Sequence, residues 1–336
     1  MKVLVTGGAG YIGSTICSAL LDYGHTPIIL DSLVTGQEVF TRNRIFYHGD
    51  IADQDLVKQI FKDHPDIFAT IHCAALIVVP ESVSKPYEYY HENVVKSMDF
   101  FYLLADLGYP HLVFSSSAAI YDVVPGFMVT EASPLSPNSP YSRTKYMMEM
   151  VLKDFCHAYG LQGIALRYFN PIGADPLMRT GLHIKDPSHI LGRLVAVARG
   201  EAEKFHITGT DWPTRDGTGI RDYIHVWDLA LAHIKAVERF DAVIATDASP
   251  EMPYSVINLG TGRGVTVREM ISAFERVFGQ KIPKTDMPPR PGDVAGAYAN
   301  ADKALELLDW KAEKSIETGI ADALKWGDLR DQILGW

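Results

Sequence analysis

Cysteine is scarce in this chain: 336 residues hold three, at Cys17, Cys73 and Cys156. They stand far apart and form no Cys-x-x-Cys or Cys/His ligand spacing. A disulfide framework and a metal site are therefore not expected, and reduced thiols suit a cytoplasmic setting. Positive charge is also short. Lys and Arg number 31 against 41 Asp and Glu, a formal net charge of -10. A nucleic-acid footprint needs a basic surface, so nucleic acid is not an expected partner. No apolar run is long enough to cross a bilayer, and the opening "KVLVTGG" lacks a signal-peptide core, so no membrane is expected. What is present is ordinary for a globular protein: 47% hydrophobic and 21% charged residues. The length suffices for a large core and two lobes.

Strand and helix patterns alternate from the start. Buried-strand runs are expected at residues 2–7, 26–31, 44–50, 67–75, 111–117 and 163–171. Helical patterns fall at 12–23, after Asp53, at 92–108 and from Tyr141 onward. This order predicts an α/β fold, a doubly wound parallel sheet of Rossmann type. From Pro171 the texture becomes irregular and turn-rich, which predicts a smaller mixed α/β substrate-binding domain. Residues 223–240 read as a helix returning to the first lobe. The expected division is 1–169 plus roughly 220–245 for the cofactor domain, and roughly 170–219 and 246–336 for the substrate domain.

Between the first strand and first helix lies "TGGAGYIG", with Gly7, Gly10 and Gly13 three residues apart. Missing side chains let backbone approach a pyrophosphate, and the helix N-terminus offers amides and a positive dipole end. The strand–turn–helix context is the one a dinucleotide needs. Asp31 ends the second strand, where a carboxylate can accept from the adenosine ribose hydroxyls. No arginine immediately follows it, which favours NAD over NADP. Asp50 ends the third strand. It has two readings: an acceptor for the adenine amino group, or an N-cap for the segment beginning at Ile51.

"SPYSRTK" puts Tyr141 and Lys145 one helical turn apart. On a bare helix this is an ordinary i,i+4 pair. Beside a nicotinamide it has a chemical use. Hydride removal from a secondary alcohol needs a base for the hydroxyl proton. A free phenol has a pKa near 10, so activating it at neutral pH takes about 4 kcal/mol, a task for a close ammonium and a cationic ring together. "FSSSAAIY" supplies Ser115, Ser116 and Ser117 as hydroxyls at a strand end; local capping accounts for at least one of them.

These motifs together resemble the extended short-chain dehydrogenase/reductase superfamily. "KPYEYYHENV", "LRYFNPIGA", "DGTGIRDYIHVWDLA", "NLGTG" and "PRPGD" extend the match, in order, to the UDP-glucose (UDP-galactose) 4-epimerase family. The resemblance implies NAD as cofactor and a UDP-hexose as substrate, with inversion at C4 through a 4-keto sugar. It implies Tyr141 as base, Lys145 as its electrostatic partner and Ser117 as the hydroxyl on O4. Gly7, Gly10, Tyr11, Ile12, Gly13, Asp31 and Ser32 would hold NAD. So would Asp50, Ile51, Cys73, Ala74, Ala75, Asn93 and Ser115, with Tyr168 and Phe169 at the nicotinamide end. Asn170, His189, Ile190 and Asp293 would meet the sugar nucleotide, and Arg221 and Arg290 would grip its diphosphate. A fork of guanidinium donors matches phosphate oxygens. Read without the resemblance, Arg221 beside Asp222 is a surface ion pair.

Rival reactions lack their residues. A 4,6-dehydratase of this superfamily uses an Asp-Glu pair where this chain has Ala118-Ala119. A decarboxylase needs a carboxylate-binding arrangement that is not visible. A UDP-pentose or UDP-uronate epimerase and a non-catalytic NAD-sensing module remain as alternatives. Four positions depart from the family pattern: Ile77 for a lysine near NAD, Asp122 for a glycine, His189 for an asparagine and Ala297 for a bulky tyrosine. His189 also reads simply as a polar loop side chain. A small residue at 297 predicts room for an N-acetyl group. Surplus apolar residues on two helices, Phe100, Phe101 and Leu104 with Met147, Met148, Met150 and Val151, suggest a second face, and the family implies a homodimer built there.

Overall fold

The computed structural model describes residues 1–289 and 293–336. Seven strands form one sheet: β1 (Lys2–Thr6), β2 (Thr26–Asp31), β3 (Ile45–His48), β4 (Ile67–His72), β5 (His111–Ser115), β6 (Gln162–Tyr168) and β7 (Tyr254–Leu259). Their order is β7-β6-β5-β4-β1-β2-β3, and each neighbouring pair is parallel. The chain leaves β1 in one direction and returns at β4 on its other side. That reversal opens a crevice at the carboxyl ends of the strands.

Helices cover both faces: α1 (Tyr11–Asp22), α2 (Gln54–Asp63), α3 (Lys96–Asp106), α4 (Pro140–Tyr159) and α5 (Val226–Glu238). Strand side chains alternate between faces, and so do the two cores. Val3 and Val5 join Ile16 and Leu20 of α1 and Leu229 and Ile234 of α5. Leu4 points the other way, toward Val57 and Ile60 of α2, Phe101 of α3 and Leu152 of α4. Each such side chain contributes roughly 1.5–3 kcal/mol by leaving water. The smaller lobe has its own core, including Leu194, Ile207, Tyr223, Phe274 and Ile320.

Several expected strands end early. Asp50, Cys73–Ala75 and Ser116–Ser117 lie past the last paired residues of β3, β4 and β5. The run 163–171 divides. After Tyr168 a separate strand, Asn170–Ile172, pairs with Tyr223–His225 in a small parallel ladder. The helix expected from residue 223 therefore begins only at Val226, where His225 Nδ1 accepts from the Trp227 amide at 3.0 Å. The cofactor lobe also draws on residues beyond the expected 220–245. β7 closes the sheet edge, and Phe240, Leu308 and Trp310 fill the core beneath it. Long-range pairing assigns them there, and no local composition shift marks it.

Most of the apolar surplus noted on α3 and α4 has a different destination. Phe100, Phe101, Leu104 and Met148 are fully buried against the sheet. The outward stripe is instead Met98, Tyr102, Met150 and Tyr159, with Phe155 between the two tyrosines. Among the described residues, no helix is long and apolar enough to cross a membrane.

Candidate active site

The glycine loop is tight for a steric reason. Gly7 has φ of 70°, and a Cβ there would stand 2.8 Å from the Ala74 amide nitrogen. A Cβ on Gly13 would stand 2.2 Å from the Gly7 carbonyl oxygen. Side chains at these positions would fill the cradle. Gly10 is the N-cap of α1 and no side chain caps that helix, so its positive end faces the loop. Asp31 is buried at the end of β2, and its carboxylate accepts from the Ala9 amide at 2.9 Å and the Leu33 amide at 2.8 Å. A carboxylate has about four lone-pair sites, which leaves acceptor capacity for a ribose diol. The residues present fit a dinucleotide. Ser32 and Ile12 border this cradle in sequence, and Ile12 packs on the core beneath it. The Tyr11 phenol donates to the Gly173 carbonyl at 2.7 Å, strapping the loop to the second lobe.

Two expected cofactor residues have their polar atoms in use within the protein. Asn93 is buried, accepts from the Leu76 amide at 2.8 Å, and donates to Leu76 O at 2.9 Å and Thr144 Oγ1 at 3.2 Å. It ties the segment after Ala74 and Ala75 to the residue preceding Lys145. Asp50 accepts from the Ala52 amide at 2.9 Å and from Lys96 Nζ at 2.8 Å. The helix cap is Asp53, which accepts from Leu56 N at 3.0 Å. Asp50 thus stabilises the turn through Ile51, not the helix itself.

α4 starts where it does because of local chemistry. Ser139 and Ser142 form a reciprocal capping box, and Pro140 occupies the first turn. Tyr141 therefore sits at the mouth of the helix, beside the Ser117 hydroxyl. Burial pushes the phenol up and the neighbouring Ser117 hydroxyl acts against it. One turn deeper, Lys145 donates to the Ser115 carbonyl at 2.9 Å and lies 5.1 Å from the Phe114 ring centre. Burial lowers it to about 8, with the Cys73 thiol and Glu149 acting in the opposite direction.

The Ser115 side chain is locked separately. His233 Nδ1 donates to Leu229 O at 2.8 Å, so Nε2 is the acceptor and takes the Ser115 hydroxyl at 3.1 Å. Cys73 Sγ lies 3.1 Å from Ser115 Oγ, and burial pushes its thiol up to about 11. Tyr168 ends β6 with its phenol well above the usual range through burial. Phe169 packs with Ala118, Tyr121 and Ala297.

Among the residues expected at the sugar nucleotide, the Asn170 backbone N–H donates to Asp222 O at 3.1 Å. Arg221 is held by the carbonyls of Ile220, Ala295 and Val294 at 2.7, 3.0 and 3.1 Å. Asp222 is no surface ion: it is fully buried and accepts from Thr261 N and Oγ1, Gly262 N and Ala299 N. His189 is more than a polar loop residue. Its Nδ1 accepts from Gly192 N at 3.2 Å and caps the helix Ile190–Ala198. Its Nε2 is buried with no protein partner. Asp293 opens the segment that carries Val294 and Ala295, whereas Arg290 lies outside the described residues.

Sequence reasoning passed over Glu149, Arg167 and His233, and gave Ser116 no role beyond that of one hydroxyl in the serine trio. Glu149 carried a readable signal, because it follows Tyr141 and Lys145 at the same four-residue interval. Arg167 and His233 carried none, since their partners are remote in the chain.

A phenol, an ammonium and a hydroxyl at the mouth of a dinucleotide cradle can move a proton on an alcohol undergoing oxidation. Comparison agrees on the class: the chain belongs to the NAD dependent epimerase/dehydratase family, whose model matches residues 3–260. It is 40% identical to the UDP-glucose 4-epimerase of Bacillus subtilis, covering 97% of this chain and 96% of that one. Among solved structures it resembles the UDP-glucose 4-epimerase from Stenotrophomonas maltophila with bound NAD and formylated UDP-arabinopyranose. The TM-score there is 0.91, with 37% identity over 99% of both chains. The enzyme from Bifidobacterium longum in complex with NAD+ and UDP gives 0.89, with 35% identity over 98% of both chains.

Proposed function

We propose that this chain is an isomerase that interconverts UDP-glucose and UDP-galactose with bound NAD, inverting C4 through a transient 4-keto sugar. The observation that carries this reading is the meeting of Tyr141, Ser117 and Lys145 beside the glycine cradle. Bound NAD supplies reversible hydride transfer. The Tyr141 oxygen takes the proton of the 4-hydroxyl and returns it when the ketone is reduced. Ser117 Oγ orients O4. The Lys145 ammonium stabilises the phenolate. Arg221 grips the diphosphate, so binding energy is placed away from the reacting carbon and the hexose is free to turn over. Ala118 and Ala119, in the turn after Ser117, offer no carboxyl group for elimination across C5–C6, which separates this reading from a dehydratase.

The test is incubation of purified protein with UDP-galactose, with and without added NAD, following UDP-glucose formation. Conversion without stoichiometric NADH supports the reading; no conversion, or net reduction of NAD, sinks it. Adding UDP-GalNAc and a UDP-pentose to the series ranks substrates. Acceptance of the N-acetylated pair is favoured by Ala297, whose small side chain packs beside Ala118 and Phe169. Equal UDP-GlcNAc conversion by wild type and Ala297→Tyr would remove that extension.

The chain also assembles as a homodimer through α3 and α4. The outward aromatic stripe supports this: Tyr102, Phe155 and Tyr159 form an edge-to-face cluster with Met98 and Met150 exposed nearby. Light scattering that gives a monomer mass would exclude it.

A further inference from the structure

Ser117 lies past the end of β5, so the sheet ladder does not hold it. Its hydroxyl accepts from the Ala119 amide at 3.2 Å, and a wider network holds its neighbours. On α4, Tyr141, Lys145 and Glu149 follow at intervals of four and so share one face of the helix. They engage three successive residues of the strand end. Tyr141 meets Ser117, Lys145 takes the Ser115 carbonyl, and the Glu149 carboxylate accepts from the Ser116 hydroxyl.

Glu149 is fixed in turn by Arg167 of β6, whose Nε donates to one carboxylate oxygen at 2.9 Å and Nη2 to the other at 2.6 Å. The remaining arm, Nη1, donates to the Tyr121 hydroxyl at 2.9 Å, and that hydroxyl donates to Asn258 Oδ1 at 2.7 Å. Tyr121 follows the short turn after Ser117. The network therefore holds the chain on both sides of Ser117: at Ser116 before it and at Tyr121 after it. Ser116, Glu149 and Arg167 are all at most 4% exposed.

We propose that the buried Glu149–Arg167 pair, acting through Ser116, is a positioning unit that sets the approach of Ser117 to Tyr141. In this reading it acts through the strand end and not by contact with substrate or cofactor. Stability alone gives little reason for an ion pair here, because well-packed apolar residues of similar volume replace such pairs at little or no loss. A reacting hydroxyl held to a fraction of an ångström does give a reason. This inference rests on the function proposed above.

The test compares wild type, Ser116→Ala and the double variant Glu149→Leu/Arg167→Met in the NAD-loaded protein. Turnover of UDP-galactose and calorimetric UDP affinity are both measured. Ser116→Ala removes one hydroxyl and is expected to lower kcat about tenfold, with KM and UDP affinity within about twofold. The double variant is expected to fold, bind UDP and lose at least as much kcat. A Ser116→Ala enzyme with wild-type kcat overturns the inference, as does a loss of kcat matched by an equal loss of UDP affinity. A wild type with no turnover overturns the functional reading and this inference together; the first two outcomes leave the functional reading standing.

Discussion

Lys145 Nζ donates to the carbonyl of Ser115 at 2.9 Å, and among the described residues no carboxylate is bonded to the ammonium. The charge is thus tied to the strand end by a neutral acceptor and is left to act on its neighbours. Tyr141, one helical turn away, is the neighbour on which the proposed mechanism has it act. Replacing Tyr141 by Phe keeps the ring packing and removes the oxygen. We expect kcat to fall about 10²–10⁴-fold, the range for loss of a general base, with UDP affinity unchanged. A coupled assay for UDP-glucose measures it, and an undiminished rate would contradict the mechanism.

Lysine 145 is held at a cost. Burial depresses it from 10.5 to about 8, so between those values the unfolded chain binds more protons and stability rises with pH. Below pH 8 the folded protein carries the full penalty. Lys145→Met should be more stable than wild type at pH 7 by roughly 2 kcal/mol. That is about 3 kcal/mol of relieved burial less about 1 for the unmet Ser115 carbonyl. The gain should fade as pH rises toward 10.5, and the variant should be inactive. Urea unfolding at pH 7 and pH 10 checks the sign.

Four buried imidazoles make the fold acid-sensitive, with His183 also lowered by burial. Burial lowers His72 to about 3 and His189 and His233 to about 4. As pH falls from 6.5 toward 4 the unfolded chain takes up protons first, and stability is lost. Asp222 and Asp228, pushed up by burial, oppose this weakly. The expected limit is about 5 kcal/mol per pH unit, the slope for four protons. A flat unfolding free energy between pH 6.5 and 5 would contradict it.

Asp31 is the residue to which we assign the cofactor preference. Its carboxylate repels a 2′-phosphate and holds the Ala9 and Leu33 amides. We expect NADP to bind at least about 100-fold more weakly than NAD. In Asp31→Ser the ratio should shrink as NAD affinity falls, which fluorescence titration of both cofactors measures. An unchanged ratio would place the discrimination elsewhere.

His189 shows how a departure from a family pattern keeps a local job. An asparagine oxygen and an imidazole Nδ1 are both acceptors, and here Nδ1 receives the Gly192 amide. The cap was invisible while His189 read as a loop residue, because the helix behind it, Ile190–Ala198, begins without a strong local start signal. The outward apolar stripe on α3 and α4 differs from the one expected for a related reason. Apolar residues on α3 and α4 announce burial, but only the sheet decides which face meets it. Phe100 and Phe101 went inward and Tyr102 outward.

The sequence by itself determined the parallel α/β order, the glycine cradle, Asp31 at the strand end and the one-turn spacing of Tyr141 and Lys145. Each is written within a few consecutive residues, where sterics and helix geometry act directly. Only the tertiary structure decided that β7 belongs to the main sheet, that Ser117 stands beside Tyr141, and that Glu149 meets Arg167 and Ser116. Those pairings join segments far apart in the chain. Their partners are selected by how the folded sheet and helices close on one another, which no short window of residues contains.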